Sequence, residues 1–157
     1  MDAVDRAIIL ATQAGLPLTP QPYHKVAETV GIAPEEVMAR LARMLAEGVV
    51  RRIGAVPDHY ALGYRHNGMT VWDVADDEAE AAGEAVAALP FVSHCYLRPR
   101  RPPFWPYNLF AMIHARDPEA AAGLVAEVAA VLGPRVRAHQ VLYSSRILKK
   151  TGVRLAG

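Results

Sequence analysis

A single cysteine, Cys95, stands among 157 residues, so an internal disulfide is excluded and a reducing compartment is the expected home. Charge of either sign is not in surplus: 17 Lys and Arg face 16 Asp and Glu, for a net charge of +1. That balance excludes a nucleic-acid binder that works by bulk electrostatics, while leaving room for a local basic patch. Apolar runs of membrane-spanning length are missing, and the opening Met1-Asp2-Ala3-Val4-Asp5-Arg6 is too acidic for a signal peptide, so a cytoplasmic protein is expected. Zinc-ligand spacings, glycine-rich phosphate loops and a Ser-His-Asp arrangement are also lacking, so no metal site is expected.

What is present is a chain that is 52% apolar and 21% charged, enough to bury a core in one ordinary domain or two small ones. One stretch stands out, from His94 to His114. Its ends alternate like strands, and its middle, Arg98 to Pro106, packs three Arg, four Pro, Phe104 and Trp105 into a stiff cationic turn. Inside a hairpin, the run Arg98-Pro99-Arg100-Arg101-Pro102-Pro103 reads as a rigid loop rather than a polyproline recognition peptide.

Before that stretch, the pattern is helical. Asp2 can cap a helix with Val4, Ala7, Ile8 and Ala11 on one face, and the proline-rich segment Gly15 to Pro22 stops it. A short helix follows from about Tyr23 to Val30, ended by Gly31. Pro34, Glu35 and Glu36 open a third, whose apolar face is Val37, Leu41, Met44 and Leu45. Val49 to Val56 reads as a strand, and three helices plus that strand make a winged helix-turn-helix over residues 1–58. Residues 59–157 carry a different order: a strand at Asn67–Val74, a helix at Asp76–Leu89, strands at Val92–Arg98 and Tyr107–His114, a helix at Pro118–Leu132, and a strand at Val136–Ser144. This βαββαβ series is the ferredoxin-like arrangement, giving an α+β protein of two domains. The tail Arg146 to Leu155 is basic and fits no element.

Strand alternation then sorts the side chains. Ser93, Cys95 and Leu97 share one face with Leu109, Ala111 and Ile113 under the helices. His94, Tyr96 and Arg98 share the other with Asn108, Phe110, Met112 and His114, and Arg137, His139 and Tyr143 of the last strand join them in one register. If the two central strands pair across the Pro-Arg turn, His94 and His114 fall nearly opposite each other. An open face bearing Tyr96, Phe110 and Met112 must meet a second subunit, another domain or a large flat ligand. A plain interface with histidines at its rim is one reading. A pocket for a polyanion with an apolar body is the other, favoured by Arg98, Arg100, Arg101 and Trp105. Cys95, on the apolar face, reads as core rather than nucleophile. Arg51 and Arg52 are a strand edge, a phosphate contact or substrate ligands. His59 and Asn67 line a cleft or merely shape turns, and His24 reads as surface.

Several segments together resemble the siroheme decarboxylase family. They are Gln13-Ala14-Gly15-Leu16-Pro17-Leu18, Pro22-Tyr23, Arg51-Arg52-Ile53-Gly54-Ala55-Val56, Leu62-Gly63-Tyr64 and Asn67-Gly68-Met69. With them go His94-Cys95-Tyr96, Trp105-Pro106-Tyr107-Asn108-Leu109, Met112-Ile113-His114, Leu142-Tyr143-Ser144 and Leu148-Lys149-Lys150. The resemblance covers nearly the whole chain. It implies the fold of Lrp/AsnC transcription regulators, a winged helix-turn-helix followed by a ferredoxin-like ligand-binding domain. It also implies a carboxy-lyase that removes carbon dioxide from the C12 and C18 acetate groups of siroheme, in the synthesis of haem d1 or of haem from siroheme. By the same resemblance no added cofactor is needed, because the iron enters with siroheme, and the partner is a related subunit or a second copy.

The site this implies takes His94 or His114 as proton donor or axial contact. Arg98, Arg100, Arg51 and Arg52 hold carboxylates. Tyr96, Tyr107 and Asn108 orient groups, with His59, Asn67 and Trp105 in the binding set. The chain departs from the family pattern at His66, and from regulators in carrying Arg-Pro-Arg-Arg-Pro-Pro-Phe-Trp-Pro where they have a short glycine-rich turn. The alternative is a DNA-binding regulator that senses a small ligand or haem. Against it, the third helix sets Arg40 and Arg43 among Glu35, Glu36 and Glu47, a face whose acids repel phosphates.

Overall fold

The computed structural model describes residues 1–149 and 154–156. They form two compact units, one of Met1–Val56 with the described tail residues, the other of Pro57–Leu148.

The first unit is three helices, α1 (Ala3–Thr12), α2 (Pro22–Val30) and α3 (Pro34–Ala46). Asp2 caps α1 as expected and does so reciprocally: its side chain accepts the Asp5 N–H while the Asp5 carboxylate accepts the Asp2 N–H. Gly31 ends α2 at φ 79°, a left-handed conformation that costs glycine nothing. Ile8, Val26, Val37, Leu41 and Met44 close the core between the helices. The expected strand at 49–56 does not form. Those residues are exposed or half-exposed non-helical chain, and a lone extended segment without a pairing partner has no ladder to hold it. The tail, placed by sequence order in the second domain, packs instead on the first. Leu155 N–H donates to Gln13 Oε1 at 3.0 Å, and Arg6 donates to the Ala156 carbonyl. Lys150 lies outside the described residues.

The second unit is the expected βαββαβ series: β1 (His66–Val74), α4 (Ala79–Ala87), β2 (His94–Leu97), β3 (Leu109–Ala115), α5 (Pro118–Leu132) and β4 (Val136–Tyr143). The four strands form one sheet in the order β2-β3-β1-β4, every neighbouring pair antiparallel. One face packs on α4 and α5 through Trp72, Val74, Leu109 and Ala111 against Ala82, Val86, Val128 and Leu132. Trp72 is fully buried, and its indole N–H donates to Thr70 Oγ1 at 2.8 Å, so its only polar atom is satisfied inside the core. Cys95 packs on this core as expected. Its thiol points at the Gly83 carbonyl, and burial pushes it above its ordinary pKa, despite a backbone hydrogen bond from Tyr96, which makes it a poor nucleophile.

The register of β4 corrects one expectation. His139 pairs with Trp72 and Tyr143 with Gly68, so His139 and Tyr143 belong to the helix side, not the open face, while Arg137 falls at a bulge and reaches Asp73 at 3.9 Å. The His139 ring stacks on Trp72 with centroids 4.6 Å apart. Ala138, Gln140 and Leu142 take the open-face positions, because alternation fixes which residues share a face but not which face it is.

Candidate active site on the open sheet face

The other face of the sheet gathers most of the sequence-predicted set. Across β1 and β3, Asn67 pairs with His114, Met69 with Met112, and Val71 with Phe110. Across β2 and β3, His94 pairs with Met112 and Tyr96 with Phe110. His94 and His114 therefore share a face but are not opposite each other; they are offset by two positions along neighbouring strands. What joins them is Ser93, whose Oγ lies 3.1 Å from His94 Nδ1 and 2.8 Å from His114 Nε2. On its far side, His114 Nδ1 is 2.7 Å from Asn67 Oδ1. His59, from the segment before β1, brings its ring to 5.4 Å from that of His114 and 4.6 Å from Tyr60. Three imidazoles thus converge at one end of the face.

The other end is aromatic and cationic. Tyr107, Phe110 and Val71 are buried together, with Met69 and Trp105 packed on them. Trp105 stacks on Phe110 at 6.2 Å and meets Tyr107 edge-on at 5.1 Å. The Arg98 guanidinium lies 5.1 Å from the Phe110 ring centroid and 5.5 Å from that of Tyr96, held over the pad by the attraction of a cation for ring faces. Phe110 and His114 are four residues apart on one strand, which sets the two ends about 13 Å from each other. Tyr96, nearly half exposed, sits beside Phe110 at the aromatic end.

Two predicted ligands are spent on the scaffold. Arg100 donates to Asp73 at 2.5 Å, to Asp76 at 2.9 Å, and to the carbonyls of Val74 and Pro106, so its whole fork is used in fastening the 98–108 loop to the end of β1. Burial works against its charge, but the hydrogen bonds to Asp73 and Asp76 outweigh it and hold the guanidinium above its ordinary pKa. Asn108 is buried. Its Oδ1 accepts the Val74 N–H at 3.0 Å and its Nδ2 donates to the Val74 carbonyl at 2.9 Å, mending the ladder where β1 and β4 slip register. Inside the loop, Arg101 and Trp105 exchange both backbone hydrogen bonds, which leaves Phe104 exposed at the tip. Arg51 and Arg52 belong to the first unit, exposed and outside any helix or strand.

Ser93 is the site residue that sequence reasoning missed. Strand parity assigned it to the core, yet β2 starts one residue later, so parity did not apply; its position directly before His94 was the available signal. Among the described residues no group of three or more His, Cys, Asp or Glu side chains is placed to hold a metal ion, and no helix is long and apolar enough to cross a membrane.

The third helix also bears on the regulator alternative. Arg43 Nη2 donates to both oxygens of buried Asp5, at 2.6 and 2.7 Å, while Arg40 donates to Asp2, Asp5 and Glu36. The cations that would meet a phosphate backbone are already neutralised inside the unit.

Comparison with known proteins agrees. Residues 5–51 match the family model described as the siroheme decarboxylase NirDL-like HTH domain, and residues 61–149 match the AsnC-like ligand binding domain. The siroheme decarboxylase NirH subunit of Stutzerimonas stutzeri is 52% identical over 99% of this chain and 92% of its own. The solved structure of the siroheme decarboxylase NirDL superposes with a TM-score of 0.65 at 30% identity, over 98% of this chain and 47% of that one. The same protein in complex with an iron-uroporphyrin III analogue gives 0.66. AsnC of E. coli superposes at 0.79 over 98% of this chain and 97% of its own, but at 16% identity it speaks for the fold alone.

Proposed function

The chain belongs to the siroheme decarboxylase family, and from that premise we propose that it is a decarboxylase subunit acting on siroheme. The reaction removes carbon dioxide from the C12 and C18 acetate groups to give didecarboxysiroheme, on the way to haem d1 or to haem. The observation that carries the reading is the polarity of the open face, with imidazoles linked through Ser93 at one end and Arg98 over an aromatic pad at the other.

Each end suits one need of such a substrate. A flat macrocycle edged with carboxylates matches an apolar pad of Tyr96, Trp105 and Phe110, and a guanidinium above that pad holds a carboxylate in a fixed geometry. Loss of carbon dioxide breaks the bond between the carboxyl and the ring-borne carbon and leaves the electron pair on that carbon, where the macrocycle spreads it. A proton must then arrive to complete a methyl group. An imidazole is suited to that task near neutral pH, and His94 and His114 are the two in line for it.

No added cofactor enters this scheme, since the iron arrives with the substrate. The subunit works in the cytoplasm, in keeping with its unpaired Cys95, and joins a related subunit or a second copy of itself. The test is anaerobic incubation of the purified chain with siroheme, alone and with a related decarboxylase subunit, followed by mass analysis. Loss of two carbon dioxides in either mixture is the expected result. Unchanged siroheme in both, or retarded promoter DNA in a gel-shift, overturns the reading.

A further inference from the structure

Asn67 decides the protonation pattern of everything linked to it. Its Nδ2 donates to the Tyr64 carbonyl at 2.9 Å, and turning the amide over would set two oxygens against each other. Its Oδ1 therefore faces His114 Nδ1 at 2.7 Å and can only accept, so Nδ1 carries a hydrogen in every charge state of that ring. Any proton His114 gains or gives up is the one on Nε2. That nitrogen faces Ser93 Oγ at 2.8 Å, and the same hydroxyl faces His94 Nδ1 at 3.1 Å.

We infer that Ser93 is a positioning residue that relays a proton between His114 and His94, so that the two imidazoles act as one donor delivering at His94 Nε2. When the pair holds its extra proton, His114 Nε2–H donates to Ser93 Oγ and the Ser93 hydroxyl donates to His94 Nδ1. His94 then bears its hydrogen on Nε2, the ring nitrogen that Ser93 does not engage. Transfer of that hydrogen to the carbanion forms the new C–H bond from the carbanion's own pair and breaks the N–H bond. His94 Nδ1 takes the hydroxyl hydrogen, and Ser93 recovers one from His114 Nε2. The pair ends with one proton fewer and every bond along the chain reversed in direction, and one proton from solvent at His94 Nε2 resets it. A hydroxyl suits this role because it donates and accepts at once. The relay rests on the decarboxylase reading for its proton acceptor, while the hydrogen-bond pattern stands apart from it.

The test uses the full chain and its Ser93→Ala and Ser93→Thr variants. In ¹⁵N-labelled protein, two-bond ¹⁵N–¹H correlations report ring tautomers without substrate. The wild type should show neutral His114 as the Nδ1–H form, with His94 Nδ1–H, and Ser93→Ala should keep the first and lose the second. In decarboxylation of siroheme, with a related subunit if turnover requires one, the rate across H2O/D2O mixtures should curve for wild type and Thr and become linear for Ala. Turnover of the Ala variant should fall by roughly tenfold to a hundredfold, less than the loss of a general acid itself, because His94 stays in place. A neutral His114 in the Nε2–H form overturns the relay. So does a Ser93→Ala protein with the wild-type rate and isotope curve, the outcome expected if His59 serves His114 directly. Absence of turnover in every protein instead sinks the decarboxylase reading, and the tautomers still decide the hydrogen-bond pattern.

Discussion

Arg43 holds Asp5 by both carboxylate oxygens from a single guanidinium nitrogen, joining α3 to the first turn of α1. Asp5 is almost wholly buried and also takes part in the capping box, so one carboxylate fixes both a helix start and a helix–helix contact. The Arg43 hydrogen bond, then the Asp2 backbone N–H, hold its carboxyl well below the ordinary value of 3.8.

The pH dependence follows from that direction. A carboxyl with a depressed folded pKa contributes stability above its unfolded pKa, and that stability is lost as pH falls through the folded value. The protection of α1 and α3 amides, taken relative to their intrinsic exchange rates at each pH, should be flat from neutral pH down to about pH 4 and fall below it. Asp5→Asn should exchange faster at neutral pH and show less acid dependence; a variant matching the wild type at every pH would remove Asp5 from the account.

Asn108→Ala should destabilise the second unit without touching the ligand face. The change leaves the Val74 N–H without its acceptor, while the Val74 carbonyl keeps Arg100, and an unpaired buried group costs about 1–3 kcal/mol. Urea unfolding should show a lower midpoint at unchanged slope, and an unaltered midpoint would contradict the buried role.

The two arginines of the loop should separate by readout. Arg98→Ala should raise KM for siroheme by about tenfold, the worth of one charge-assisted contact, with the melting temperature little changed. Arg100→Ala, which frees Asp73 and Asp76 together, should lower the melting temperature instead. The reverse outcome would exchange their roles.

Of the histidines, His94→Gln and His114→Gln should each lower the decarboxylation rate by roughly 10²-fold or more, with binding largely kept. Removing both should cost little beyond either single change, because groups acting as one unit are not additive. Multiplicative losses would mean two independent donors.

Gly68→Ala should weaken the pairing of β4. A Cβ at that position would come within 2.7 Å of Val141 Cγ1 and 3.2 Å of Tyr143 Cε1, both on the neighbouring strand. A cost of about 1–3 kcal/mol is expected from forcing those side chains aside. Denaturant unfolding measures it.

Local patterns were legible in the amino-acid sequence. The Asp2 cap, the stop at Gly31 and the bounds Pro118–Leu132 follow from signals a few residues long, and the two-residue period set His94, Tyr96 and Arg98 on one face with Phe110 and His114. The resemblance carried the chain to its family by motifs spread over its whole length. Tertiary structure decided the rest. The register between β2 and β3 offset the histidines and gave Ser93 both of them, and the register of β4 turned His139 toward Trp72. Asp73, Asp76 and Val74 claimed Arg100 and Asn108, although both had the right chemistry for a ligand. The division has a physical cause. Periodicity and capping are properties of neighbours in the chain, whereas register and hydrogen-bond competition depend on groups tens of residues away, which meet only once the sheet has closed.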